Sequence, residues 1–218
     1  MVLTSQGIPF FQAGEEMLRT KPLASNKKAF DSNSYSSPDS TNSIKWDSKT
    51  ENEDVYEYYR GLIAFRKAHG ALRMTTTEEV QENLTFLDGL KGNAVGYTIS
   101  NQPNEESAET LLVVHNGNNK AIDVALPDGT WAVYVNAEKA GTTVLEEVSG
   151  TISVDKISTI VLAKENKTSQ VVNSIKNIDK RIWIGIGIAI IVIVIIILII
   201  WRNRKKKRRH WKEVIYYR

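Results

Sequence analysis

Hydrophobic and polar positions change their period along the 218 residues. Between Glu51 and His69, the residues Val55, Tyr58, Tyr59, Leu62, Ile63 and Arg66 recur at spacings of three and four, one stripe of a helix. Thr50 and Glu53 have capping-box spacing, and Lys67, His69 and Gly70 carry C-terminal signals. An amphipathic helix is therefore expected over Glu51–His69. From about Arg73 to Lys164 the chain breaks into short strand-like runs: Leu84–Leu87, Ala94–Ser100, Thr110–Asn116, Ala121–Leu126, Trp131–Asn136, Thr151–Val154 and Ser158–Ala163. Turn residues such as Lys91-Gly92-Asn93, Asn116-Gly117-Asn118 and Pro127-Asp128-Gly129 separate them. Seven or eight strands in about ninety residues is the density of an antiparallel β-sandwich.

Ahead of the helix, Ile8-Pro9-Phe10-Phe11 reads as a short buried strand, and Gly7 as the residue that closes a preceding helical turn. A buried parallel strand needs partners on both edges and cover on both faces. The first seventy residues or so are accordingly expected to be a piece of a larger α/β domain.

Ile182–Trp201 is a run of twenty residues without a charge. At roughly 1.5 Å per residue such a helix spans about 30 Å, the hydrocarbon thickness of a bilayer. A fully buried helix of a soluble protein is the alternative, and it rarely runs this long. Trp183 and Trp201 stand at the two ends, and RNRKKKRRH follows, as a cytoplasmic flank does. The expectation is a single-pass protein of the cell membrane with the lipid bilayer as partner. Residues 1–181 would be extracellular and the basic tail, 202–218, cytoplasmic. Residues 165–181 are polar with scattered aliphatics and read as a linker.

Charge sharpens this division. The last seventeen residues hold nine Lys or Arg and one Glu, leaving 19 basic and 24 acidic groups for everything before them. A mildly acidic body with a basic tip gives no argument for nucleic acid. The basic run has the composition for nucleic acid or anionic lipid, but a stop-transfer flank needs neither. The absence of cysteine excludes disulfides, Cys-type zinc sites and thiol nucleophiles. His69, His115 and His210 are far apart with no ligand pattern around them, so no metal site and no cofactor is assigned.

Three segments carry a resemblance. GIPFFQAGEEMLRTK (Gly7–Lys21), FDSNSYSSPDSTNSIKWD (Phe30–Asp47) and YYRGLIAFRKAHGALRM (Tyr58–Met74) resemble the C-terminal end of type I pullulanases, debranching members of the α-amylase family. TTEEVQENLTFLD (Thr76–Asp88) is similar to the start of their terminal β domain. The resemblance implies the last strand and helix of a TIM-type (β/α)₈ barrel over residues 1–72, an all-β domain over 73–164, then the linker and the single transmembrane helix. It places Ile8–Gln12 at the eighth barrel strand, residues 13–49 in the loop after it and Glu51–His69 at the eighth helix. Active sites of this barrel lie at the C-terminal ends of its strands, so the loop would face the substrate.

The implied activity is retaining hydrolysis of α-1,6 bonds in pullulan and branched α-glucans. An aspartate nucleophile, a glutamate acid and a second aspartate perform it. The resemblance puts all three ahead of Met1, so no catalytic residue is assigned, and the chain alone is expected to be inactive. Asp31, Asn33, Tyr35, Asp39 and Asn42 lie in the loop that borders the cleft. Asp, Asn and Tyr suit paired hydrogen bonds to sugar hydroxyls and stacking on a sugar face, and Asx residues equally serve turns. Glu15 and Glu16 are neighbours on the chain and point apart, which rules out a catalytic pair; a buried glutamate bonded to backbone or to an Arg is expected there. Arg19 and Lys21 are expected in loop-ordering ion pairs, Trp46 packed against the helix or stacking on sugar, and Trp131 in the sandwich core.

Two functional readings follow, with an unrelated adhesin stalk as a remoter third. One is the C-terminal part of a membrane-anchored cell-surface pullulanase. The other is a non-catalytic, membrane-anchored β domain for surface display or glucan binding.

Overall fold

The computed structural model describes residues 1–165. After a 3₁₀ turn at Val2–Thr4 and another at Glu15–Met17 come a short hairpin, β1 (Pro22–Leu23) and β2 (Asn26–Phe30), and two single-turn helices, α1 (Asp39–Asn42) and α2 (Ser48–Glu51). The long helix α3 (Glu53–Ala68) leads through a 3₁₀ turn, Gly70–Arg73, to α4 (Thr77–Asn83). Eight strands follow: β3 (Leu84–Phe86), β4 (Ala94–Ile99), β5 (Ala108–Asn116), β6 (Ile122–Ala125), β7 (Trp131–Val135), β8 (Glu146–Val148), β9 (Thr151–Val154) and β10 (Ser158–Glu165).

Unbroken apolar runs explain how these strands are layered. In β5, β7 and β10 consecutive residues are buried, so both faces of the sheet they share must be covered. That sheet has the order β3-β4-β5-β10-β7-β8 and is antiparallel throughout, with Val113 opposite Val161 at its centre. One face, with Leu112, Val114, Val133, Ile160 and Leu162, packs on a two-stranded sheet of β6 and β9 through Val124, Ile152 and Val154. Trp131 is fully buried in this layer, as its place in a strand predicts. The other face, with Leu111, Val113, Val161 and Ala163, meets Phe65, Ala71 and Leu72 at the end of α3 and the turn after it. The β-sandwich is therefore present, and a helix covers its outer side.

Seven of the strands stand where the short runs between turns predict them, with shorter or longer ends. The helix starts later than expected because Asn52 interrupts it: its side chain donates to the carbonyls of Ser48 (3.0 Å) and Met17 (3.3 Å), and its backbone leaves helical values. Thr50 thus lies inside α2, and α3 has no side-chain cap. The same T-x-x-E spacing recurs at Thr76 and Glu79, where it does form a reciprocal capping box and starts α4.

Two expectations are corrected. Ile8–Gln12 forms no strand: Ile8 and Phe10 are 96% and 90% exposed, while Pro9 and Phe11 are half-buried, the Phe11 ring centroid 6.0 Å from that of Tyr59. A strand exists by pairing, and no described strand runs beside this segment. The cell-membrane localisation is withdrawn as well. Ile182–Trp201 lies outside the described residues, and among those described no helix is long and apolar enough to cross a bilayer. The longest, α3, has 16 residues and carries charges along its length, where a span needs about 20 apolar ones.

Residues 1–7 are tied down by Arg66. Arg66 is 6% exposed, and its guanidinium donates to the carbonyls of Leu3 (3.2 Å), Ser5 (2.7 Å) and Gly7 (2.6 Å). Tyr97 donates to Thr4 O, and Gln6 bonds Ala71 O and accepts from Met74 N. Replacing Arg66 by Met keeps the aliphatic bulk and deletes three charge-assisted bonds. The substitution is expected to cost about 2–3 kcal/mol. The urea midpoint should fall, and the rate of proteolysis before Ile8 should rise.

Candidate functional site

The long loop between residues 13 and 47 holds every residue the sequence marks for substrate contact. Its order comes from side chains that satisfy its own backbone. Gly14 (φ +98) makes the first turn, and a Cβ there would lie 2.7 Å from Arg19. The Arg19 guanidinium spans the loop, donating to Ala13 O (3.1 Å) and to Asn42 O. Lys21 Nζ reaches Ser34 Oγ at 2.8 Å, and buried Thr41 donates to Pro22 O at 2.8 Å. Arg19 and Lys21 thus order the loop as expected, but through carbonyls and a hydroxyl and not as ion pairs.

Glu15 and Glu16 also turn to the backbone. Glu15 Oε1 accepts from Gln12 N (3.0 Å) and Glu16 Oε2 from Gly14 N (2.9 Å). Neither is buried, against expectation, because each folds back onto a backbone N–H of its own tight turn.

The five candidate residues divide by what they already hold. Asn42 donates both ways, to Ser34 O (2.8 Å) and Ser37 O (2.9 Å), and is a staple of the loop. Asp31 accepts from Ser37 Oγ and from Asn33 N (3.0 Å). The Ser37 hydroxyl, then the Asn33 amide, hold its carboxyl below the usual range, so it remains an anion and an acceptor. Asn33, Tyr35 and Asp39 face solvent, Tyr35 with 95% of its surface exposed. Trp46 is also exposed, at 70%, so it does not pack on α3 as expected. Phe30, which sequence reasoning passed over, is 73% exposed at the end of β2. A loop held rigid by its own polar groups and presenting Phe30, Tyr35 and Trp46 outward has flat faces of the kind sugars stack on. Its alternation of Ser, Thr and Asn was the signal for the staples; nothing local marked which aromatic would be left uncovered.

Comparison with known proteins gives this arrangement a lineage. Residues 80–139 match the family described as pullulanase, all-beta domain. Over 163 residues the chain is 30% identical to the pullulanase of Bacillus subtilis (strain 168), covering 74% of this chain and 21% of that one. The chain is homologous to type I pullulanases and isoamylases. Among solved structures, the pullulanase from Bacillus acidopullulyticus is 37% identical with a TM-score of 0.69, covering 75% of this chain and 19% of that one. The pullulanase of Anoxybacillus sp. LM18-11, solved in complex with maltotriose, is 30% identical with a TM-score of 0.64, covering 75% and 21%. The chain therefore spans about a fifth of the length of the pullulanases it matches.

Proposed function

We propose that residues 1–165 serve as the C-terminal part of a pullulanase-type debranching enzyme acting on α-1,6 bonds of pullulan or branched α-glucans. In this reading residues 1–72 are the end of the catalytic barrel. The loop borders the glucan cleft, α3 is the eighth barrel helix, and the β domain braces that helix from outside. The observation that carries it is the extent of the match. The alignment with the Bacillus subtilis pullulanase extends over 163 residues, more than the roughly ninety of 73–164, which supports a likeness that reaches beyond the β domain. The complex of the Anoxybacillus pullulanase with maltotriose supports an oligosaccharide of α-linked glucose as the ligand. Asp31, Asn33, Tyr35 and Asp39 would offer polar contacts and Tyr35 a stacking face, with Asn42 holding the loop in shape.

Titrating the isotope-labelled chain with maltotetraose separates this from the second reading, a β domain that binds glucan by itself. Amide shifts are expected at residues 31–46 and not in β3–β10, with no reducing ends released from pullulan. Shifts confined to the strands would overturn the assignment of the loop and favour the binding module.

A further inference from the structure

The turn after β5 holds an Asn-Gly pair, the sequence in which backbone attack on a side-chain amide is least hindered, because glycine has no Cβ to block it. Asn116 is nonetheless only 2% exposed and fully engaged. Its Nδ2 donates to Lys120 O (2.9 Å), Val154 O (3.0 Å) and Asp155 O (2.9 Å). Its Oδ1 accepts from the backbone N (3.0 Å) and the Nδ2 (2.8 Å) of Asn118. The would-be nucleophile is occupied too, since Gly117 N donates to Asn93 O at 2.9 Å. One carboxamide thus joins the end of β5 to the end of β9 and to the two turns beside it.

We infer that Asn116–Gly117 is a latent deamidation site that the fold holds shut, and that its opening converts the domain irreversibly to a form that cannot close again. When the turn opens, the Gly117 nitrogen loses its proton to solvent base and attacks Asn116 Cγ. The new N–Cγ bond closes a five-membered succinimide as the Cγ–Nδ2 bond breaks and ammonia leaves. Water then adds to either imide carbonyl and breaks that C–N bond, leaving aspartate or isoaspartate at 116. A carboxylate in that place has no hydrogen to give and meets the carbonyl oxygens of Lys120, Val154 and Asp155. Three acceptors and a buried anion face one another, an arrangement that interiors do not tolerate. An isoaspartate also adds a backbone atom to a turn whose next residue has no room: a Cβ on Gly117 would lie 2.8 Å from Asn93 O.

The test is peptide mapping by mass spectrometry of the full chain, incubated at mildly alkaline pH with and without denaturing urea. In urea, Asn116 should deamidate ahead of Asn93 and Asn101, which precede bulkier residues. In the native protein it should react at least about a hundredfold more slowly, an opening free energy of about 2.8 kcal/mol at 1.4 kcal/mol per tenfold. Hydrogen exchange of the Gly117 amide should be slowed by a similar factor. Asn118→Ala, which deletes one bond to Oδ1 together with those to Lys91 O and Asn93 N that fix the neighbouring turn, should raise the native rate at least about tenfold. If that variant does not fold, sub-denaturing urea on the natural chain takes its place, and the rate should track Gly117 exchange. Equal native and unfolded rates, or a Gly117 amide that exchanges freely, would overturn the gating. An Asn116→Asp protein with the natural urea midpoint would overturn its irreversibility.

Discussion

Phe65→Ala is expected to remove about 3–5 kcal/mol of stability, the range for a large aromatic cut from a packed core. Phe65 is fully buried, yet it sits on α3 and not in the β domain. Its ring lies 4.0 Å, centroid to centroid, from that of His69 and 5.6 Å from that of Tyr134 on β7. Around it stand Leu111, Val113 and Val161 of the central sheet, together with Ala71 and Leu72. Small residues would not collapse into the gap, because the strands are pinned by their ladders and α3 by Tyr58, whose hydroxyl donates to Asn136 O at 2.7 Å. The urea midpoint reports the loss. A change below about 0.5 kcal/mol, the size of an ordinary surface substitution, would show that the sheet closes its core without the helix.

That dependence bears on what was legible in the sequence. Continuous runs such as TLLVVHN and STIVLA said that both faces of those strands are covered, but not by what. β6 and β9 alternate, buried at Val124, Ile152 and Val154, so the second layer has one wet face, whereas the sandwich itself was read from the density of strands. The helix, placed by resemblance at the end of a barrel, also supplies the outer layer of the sandwich through its last turn. Periodicity identifies an apolar face and leaves its partner open, since burial is non-directional. At the candidate site the limit was different. Asn and Asp serve a turn's backbone and a sugar's hydroxyls with the same groups, so only the observed bonds separate Asn42, committed to Ser34 and Ser37, from Asn33 and Asp39.

The loop between β4 and β5 shows a third kind of gap. Nothing in NQPNEES suggested that one glutamate would be buried, yet Glu106 is 5% exposed and three donors converge on it. Asn101, Gln102, Asn104 and Glu105 all hold positive φ, the chain winding left-handed to carry Glu106 inward. A conformation this unfavourable persists only because what it delivers is well bound.

Glu106→Gln tests that binding. Glu106 Oε1 accepts from His69 Nδ1 (2.9 Å) and Ala108 N (3.0 Å), and Oε2 from Ala71 N (3.2 Å). The carboxylate therefore clamps the C-terminal end of α3 and the turn after it to the start of β5. Glutamine fits the space but offers one oxygen where two are needed. With that oxygen on His69 and Ala108, its NH₂ faces the Ala71 N–H, donor against donor in a dry site. The cost is expected at about 2–4 kcal/mol, from an unsatisfied buried donor and the loss of charge-assisted bonds. The effect must also depend on pH. Burial alone would raise the Glu106 carboxyl, but the bonds from His69, Ala108 and Ala71 outweigh it and hold it below the ordinary range. A carboxyl lowered by folding stabilises fully above its unfolded value, and that contribution disappears as pH falls through the folded one. The gap between the natural protein and Glu106→Gln should accordingly be full at neutral pH and narrow below about pH 4. His115 adds a loss common to both proteins, because burial pushes it down to about 4 from 6.5. Between those values the unfolded chain takes up a proton that the folded one refuses, so both lose stability as pH drops through that window. Urea midpoints from pH 3 to pH 8 measure the two together. A gap that stays constant across the range would mean that Glu106 contributes shape and not charge.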